Sequence, residues 1–167
     1  MLMLVQEKLV ESRGKAGYFV RKFNKKEVEE YFALRAALED FAAPLVIERI
    51  TPSAIEALHE NIRNSERYQK KGDIKSVIIC HTEFDKILYA ATDSEAFIET
   101  ISRLLDRLHW LRAIALSVPG GPRQSVNDHK KIVKAIEEKN VQALRKAISE
   151  HLGNARGNYG NMETLFF

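Results

Sequence analysis

From Lys25 onward the chain consists of segments with helical periodicity separated by short turn signals, and this pattern limits the fold more than any other feature. Thr51-Pro52 pairs an N-cap residue with a proline at the first helical position, which marks a helix start. Asp73 and Asn140 are further candidate N-caps, and Pro-Gly-Gly-Pro at 119–122 is the clearest break. Helices joined by such short connections pack as antiparallel neighbours. The sequence therefore predicts an all-α antiparallel bundle of about six to seven helices.

The first predicted helix runs from about Lys25 to Arg49, with a kink or a split at Pro44. A fourth helix, capped by Asp93 or Thr92, continues to about Leu116. The remaining predicted helices cover about 52–72, 74–91, 125–139 and 141–156. Apolar spacing in the first helix gives the expected core positions Leu34, Leu38, Phe41 and Leu45.

The first 24 residues have a different character. Two strand-like segments, 9–12 and 17–21, flank a basic turn at 13–16, which predicts a short β-hairpin. Basic residues crowd this end, and they form either a phosphate-binding patch or a solvated arm. Arg13 and Lys15 in the turn are weak candidates for DNA contact. The expected divisions are 1–24 for the hairpin and linker, 25–157 for the helical domain and 158–167 for a tail.

Composition narrows the class of protein. Hydrophobic residues make up 45% and charged residues 29%, with a formal net charge of +3. This balance is typical of a soluble globular domain and not of a chain that coats nucleic acid. Cys80 is the only cysteine, so no intrachain disulfide can form, which fits a reducing compartment. No stretch approaches the roughly 20 apolar residues of a membrane span, and we predict a cytoplasmic protein without a membrane partner.

Three histidines lie on the apolar sides of three different predicted helices, where an uncommitted imidazole would be costly. Asp85 follows His81 by four positions, so the two side chains are neighbours on one helix surface. Three imidazoles and a carboxylate suit a divalent transition metal; zinc or nickel is favoured, and manganese or iron also fits. The alternative is three hydrogen-bonded core histidines and a surface aspartate. The candidate metal ligands are His81, Asp85, His129 and His151.

Four segments, in order and spacing, carry a family resemblance. They are Leu-Arg-Ala-Ala-Leu-Glu at 34–39, His-x-x-Phe-Asp-x-x-Leu at 81–88, Asp-His-x-x-Ile-x-x-Ala-Ile at 128–136 and Glu-His-Leu at 150–152. Together they resemble the FCD ligand-binding domain of GntR-family bacterial transcription regulators, the FadR subfamily. The resemblance implies an FCD-type bundle, a bound divalent metal and a homodimer. One departure stands out, because the family usually has Asp-x-x-x-His where this chain has His81 and then Asp85.

The resemblance also implies an effector, which we expect to be a small organic acid. Arg35 would grip its carboxylate, a role suited to the planar guanidinium fork, although a surface arginine lying along the helix is the simpler alternative. Weaker effector-binding candidates are Arg107, Arg112 and His109. The predicted function is metal-dependent effector sensing that controls a DNA-binding dimer, and not enzymatic catalysis.

Residues 9–20 resemble the wing of a winged helix-turn-helix, but in that family the recognition helix precedes the wing. Base-specific reading belongs mainly to that helix, so we expect DNA binding only if an upstream winged-helix segment exists. Two other functions stay open. A helical-bundle metalloenzyme would use Glu56-x-x-His59, with Asp106-x-x-His109 as the nearest second pair. A structural dimerisation module would use the metal only for stability.

Overall fold

The computed structural model of the protein describes residues 10–12, 17–20 and 25–166. Within them, two antiparallel strands pair Val10 with Val20, and seven helices follow, which confirms the predicted all-α class. The strands are β1 (Val10–Ser12) and β2 (Tyr18–Val20). The helices are α1 (Lys25–Arg49), α2 (Pro52–Lys70), α3 (Ile74–Ala90), α4 (Glu95–Arg107), α5 (His109–Ser117), α6 (Gly121–Glu137) and α7 (Val141–Phe166).

Three of the predicted helix starts are confirmed by side-chain caps. Thr51 Oγ1 accepts a hydrogen bond from the Ala54 amide at 3.2 Å, and Pro52 occupies the first turn of α2. Asp73 accepts from the Ser76 amide at 3.0 Å. In the same way, the side chain of Asn140 accepts from a backbone amide at the start of α7. Each cap satisfies an amide that has no partner within its own helix.

Other boundaries differ from the prediction. The single fourth helix is two helices, α4 and α5, which meet at Leu108. The cap of α4 is Ser94, with an extended backbone, rather than Asp93 or Thr92. Asp93 has a φ of 47°, outside the extended region that a side-chain cap usually adopts. Helix α6 starts four residues before the predicted Ser125, because its first turn accommodates a proline. Helix α7 continues ten residues past the predicted Arg156.

Helix α1 corrects two further expectations. It runs through Pro44 without a break, so the predicted split is wrong. Two of its four predicted core positions are wrong, since Leu34 and Phe41 are 49% and 57% exposed, whereas Leu38 packs against the core. The reason is that a charged pair, Arg35 and Glu39, lies on the buried side, where hydropathy alone would not place it. The buried residues of α1 are Val28, Phe32, Arg35, Glu39, Ala42, Ala43 and Val46.

Helix α3 lies against α1, α2 and α5. Helix α6 lies against α2, α5 and α7, and α7 also contacts α1 and α5. On α5, the indole of Trp110 packs edge-on against the ring of Tyr159 on α7, with centroids 5.8 Å apart. Among the described residues, no helix combines the length and apolar character needed to cross a membrane. The largest fully buried apolar side chains are Phe84, Leu58, Leu88, Ile101, Ile136 and Leu144.

Gly121, the first residue of α6, packs directly on the end of α5. A Cβ atom there would lie 2.4 Å from the carbonyl oxygen of Ala115 and 3.0 Å from Val118 Cγ2. We expect Gly121→Ala to lower the free energy of unfolding by about 1–3 kcal/mol, because the backbone must shift to relieve the overlap. Gly153→Ala is the matched control on α7, where nothing lies within 4 Å of the added atom.

The control should raise the free energy of unfolding by about 0.5–1 kcal/mol, as alanine is favoured over glycine within a helix. Urea unfolding followed by circular dichroism measures both variants. Equal effects of the two substitutions would show that the α5–α6 junction tolerates a side chain.

Candidate metal centre

Three helices each contribute one histidine to a single buried cluster. His81 comes from α3, His129 from α6 and His151 from α7. Their ring centroids are 4.6 Å apart for His81–His129 and 5.2 Å for the other two pairs. One ring nitrogen from each lies within 4.8 Å of the others, and all three residues are buried. The structure therefore brings together the three histidines that the sequence placed on separate apolar faces.

Several nitrogens in this cluster have no hydrogen-bond partner. They are Nδ1 of His81, Nε2 of His129 and both ring nitrogens of His151. Burial, followed by the positive charge of Arg112, lowers the pKa of His81. Burial and the two neighbouring imidazoles likewise lower the pKa of His129. Both rings are thus neutral near pH 7, the form that binds a metal, and a metal bond would satisfy nitrogens that are costly to bury unpaired.

Neighbouring side chains hold two of the rings in place. Phe84 stacks on His129 with centroids 3.8 Å apart and planes 9° from parallel. Asp128 Oδ2 accepts a hydrogen bond from Asn154 Nδ2 at 2.8 Å and lies 3.6 Å from His151 Nδ1, just beyond hydrogen-bond length. Burial alone would raise the pKa of Asp128, but His151 and Asn154 outweigh it and lower that pKa. Carboxylates in this position orient metal-bound histidines in many proteins.

Asp85, the predicted fourth ligand, is engaged elsewhere. Its Oδ2 lies 3.9 Å from His81 Nδ1, but the same oxygen accepts a hydrogen bond from Arg112 Nη2 at 2.6 Å. Arg35 Nη2 is 3.6 Å away from it. The cluster of mutually close ligand atoms comprises the three histidines without Asp85. Metal ligation by Asp85 stays a prediction, and the contacts identify it first as a partner of two arginines.

These residues belong to a buried network of balanced charge. Arg35 Nε donates to Glu39 Oε1 at 2.5 Å, and Arg112 Nη1 donates to Thr82 Oγ1 at 2.6 Å. All four charged members, two guanidinium groups and two carboxylates, are at most 9% exposed. Sequence reasoning missed the role of Glu39. The available signal was its spacing of four residues from Arg35, which usually marks an exposed ion pair on a helix.

Beside the cluster lies a cavity of about 530 Å³, measured out to its open mouth. Its walls include His81 and His151. Among the predicted effector residues, the arginines at 35 and 112 line it. Arg107 and His109, at the junction of α4 and α5, are not among the described residues that do. The other polar residues that line the cavity are Gln124, Ser125, Asp128, Asn154 and Asn158.

The Glu-x-x-His pair that a metalloenzyme would use lies away from the histidine cluster. Arg13 and Lys15 lie outside the described residues. His59 lies at the surface of α2, where its Nε2 is 2.8 Å from Glu137 Oε1. Glu56 is exposed there and accepts a hydrogen bond from Arg63. The Glu-x-x-His pair that a ferritin-like metalloenzyme would turn inward therefore faces outward.

Comparison with known proteins adds a family match. The profile of the FCD domain matches residues 30–154. The HTH-type transcriptional regulator McbR of Escherichia coli K12 is 24% identical over 154 residues, which is 90% of this chain and 69% of McbR. The uncharacterised HTH-type transcriptional regulator YdhC of Bacillus subtilis 168 is 19% identical over 155 residues, 92% of this chain and 69% of YdhC.

Solved structures share the fold. The structure of E. coli McbR/YncC superposes with a TM-score of 0.88 at 20% identity, covering 96% of this chain and 81% of that one. The metal-free FCD domain of TM0439 superposes with a TM-score of 0.72 at 19% identity, covering 86% of this chain and 99% of that domain. At this level of identity the superpositions establish the architecture alone.

Proposed function

Because the chain belongs to the FCD domain family, we propose that it is a metal-dependent effector-sensing domain of a GntR-type transcriptional regulator and not an enzyme. A divalent metal ion and a small organic acid would bind side by side inside the bundle. The observation that carries the proposal is the set of buried imidazole nitrogens without partners on His81, His129 and His151. Groups of this kind are rare in a folded protein unless something binds them.

The donor set fits a metal. Three neutral imidazoles on three packed helices can hold zinc or nickel, and they also accept manganese or iron. The metal, when bound, supplies a positive charge and open coordination positions to which a carboxylate can attach. Around it, Phe84 fixes the plane of His129, and Asp128 is placed to orient His151.

The cavity supports an organic acid as the effector. Its lining includes the guanidinium groups of Arg35 and Arg112, which bind carboxylates in charge-assisted pairs. The lining also includes amide side chains, and those of Asn158 and Gln124 hydrogen-bond each other at 3.2 Å. A ligand that combines a carboxylate with hydroxyl, amine or amide groups would pair with both kinds of side chain.

Metal content tests the proposal most directly. In protein purified without a metal-binding tag, we expect about one metal ion per chain, and we expect His129→Ala to lose it because one of three ligands is removed. His59→Ala is the matched control, since this histidine lies at the surface beside Glu137, and it should retain the metal. Absence of metal from the wild type would contradict the proposal.

Asp85→Asn in the same experiment decides the fourth ligand. Loss of metal would support ligation by Asp85, whereas an unchanged metal content would leave it as a partner of the arginines alone. Effector binding is measured separately, by thermal shift with small carboxylates. Retained metal with no response to any organic acid would favour the second candidate, a structural module that the metal stabilises.

The output of the sensor is also part of the proposal. The matched relatives named above are HTH-type transcriptional regulators, and this chain spans 69% of their length. We propose that the effector changes the arrangement of a homodimer and thereby of its DNA-binding domains. Such a change requires different effector affinities for two dimer states. The homodimer and its DNA contacts stay predictions.

A further inference from the structure

The carboxylate of Asp85 lies where two buried guanidinium groups meet. Its Oδ2 is 2.6 Å from Arg112 Nη2 and 3.6 Å from Arg35 Nη2. Both arginines line the cavity, whereas Asp85 is not among the described residues that line it. The two cationic groups are therefore placed between an internal carboxylate and the space that a ligand would enter.

These guanidinium groups have unused hydrogen-bonding capacity. Arg35 Nη2 and Arg112 Nε are buried without a hydrogen-bond partner. A guanidinium group carries five N–H donors and no acceptor, so these nitrogens need a further hydrogen-bond acceptor, such as a carboxylate oxygen. The pair can thus take an additional carboxylate, and the structure offers the cavity as its route of entry.

The charge of the network opposes such a ligand. Two guanidinium groups face two carboxylates, Glu39 and Asp85, so an incoming anion meets a group of residues that is already neutral. Glu39 pairs with one of the two arginines, Arg35, four residues away on the same helix, and it also interacts with the hydroxyl of Tyr89. Asp85 reaches both arginines from another helix. It is therefore the carboxylate that an entering anion would have to share or displace.

We propose that Asp85 is a built-in competitor for the carboxylate of the effector at Arg35 and Arg112, and that it sets how tightly the cavity binds anions. The inference rests on the proposed function, because it concerns the same cavity. It makes Asp85 a determinant of effector affinity whose removal strengthens binding, which is the opposite of the effect expected for an ordinary binding residue.

Asp85→Ala with formate and acetate as probes tests the inference. The substitution removes a carboxylate and leaves a space of the size of formate beside the two arginines. With a chelator present throughout, we expect the variant to bind formate and acetate roughly tenfold or more tightly than the wild type does, the change that one freed charge-assisted hydrogen bond produces. Calorimetric titration and the rise in melting temperature with formate measure the gain.

Two further variants separate this effect from a general increase in anion binding caused by the removal of any buried carboxylate. Asp128→Ala removes another buried carboxylate at the cavity, one that faces Asn154, His151 and, at 3.8 Å, the ammonium group of Lys131, but no guanidinium group. Because Lys131 is exposed and keeps its partner Glu150, this variant should gain no formate binding. Asp85→Ala combined with Arg112→Met should bind formate no more tightly than the wild type, because one of the two guanidinium groups that would hold the anion is gone. A gain that persists in this double variant would place the anion elsewhere and overturn the inference.

Folding of the variant is itself informative. If Asp85→Ala folds only when formate is added, the rescue supports the inference. If it stays unfolded in formate, Asp85→Asn replaces it, with the same expectation of tighter anion binding. A folded variant whose formate affinity stays within twofold of that of the wild type would contradict the inference. This failure is distinct from that of the proposed function, which is decided by the metal content of the wild type.

Discussion

Replacing Arg112 by methionine is expected to lower the free energy of unfolding by about 3–5 kcal/mol, which corresponds to a drop in melting temperature of roughly 6–20 °C. The loss arises less from the missing hydrogen bonds than from the charge that stays behind. Without Arg112, the buried carboxylate of Asp85 keeps only Arg35, 3.6 Å away and already paired with Glu39. Urea unfolding at pH 7.5 measures the change.

The double variant Arg112→Met with Asp85→Leu gives the sharper result. It removes one positive and one negative charge together and leaves Arg35 paired with Glu39. We expect most of the lost stability to return, since buried ion pairs replaced by apolar groups of similar size are often neutral in their effect. Arg103→Met is the control for a surface pair, because Arg103 and Glu99 are both well exposed, and it should change little. A double variant no more stable than Arg112→Met would contradict this account.

The second large effect is the dependence of stability on pH in the presence of a chelator. The pKa of His81 and that of His129 both lie well below 6.5 in the folded protein, so the unfolded chain binds these two protons first as the pH falls. The contribution of these two neutral rings to stability is therefore fully present at about pH 7.5 and is lost as the pH falls through about 6.5 toward the folded pKa values. Two rings give a slope of about 2.7 kcal/mol per pH unit.

Between pH 7.5 and 5.5 the free energy of unfolding should thus fall by nearly 3 kcal/mol. His129→Ala, although less stable at every pH, should show about half the slope, because only one of the two lowered pKa values, that of His81, then contributes. Urea titrations at several pH values measure both proteins. Equal slopes in the wild type and the variant would mean that His129 takes up its proton in the folded state as readily as in the unfolded one.

Local signals predicted much of the architecture. The starts of α2 and α3 follow from Thr51 and Asp73, whose side chains cap backbone amides a few residues away, an interaction that depends on adjacent sequence alone. The division between α4 and α5 at Leu108 has no such marker, as neither glycine nor proline lies there. The buried face of α1 was misjudged in part because it depends on what packs against it, and there it is a charged pair.

The candidate site shows the same division between local and tertiary information. The three histidines could be found because a polar residue on an apolar face is conspicuous in one sequence. The contacts of Asp85 with Arg112 and Arg35 could not, since they join three helices far apart in the chain. The spacing of four residues correctly placed Asp85 next to His81 on α3, but it does not predict which residues of other helices bind the carboxylate.

The edge-on contact of Trp110 with Tyr159 has a practical consequence. The chain contains one tryptophan, and this contact lies where α5 meets α7. The same two helices carry Arg112 and His151 into the cavity wall. The tryptophan emission of the protein therefore arises from a single contact, between two helices that both line the cavity. A change in the packing of α5 against α7 can therefore be followed by the fluorescence of Trp110, without an attached dye.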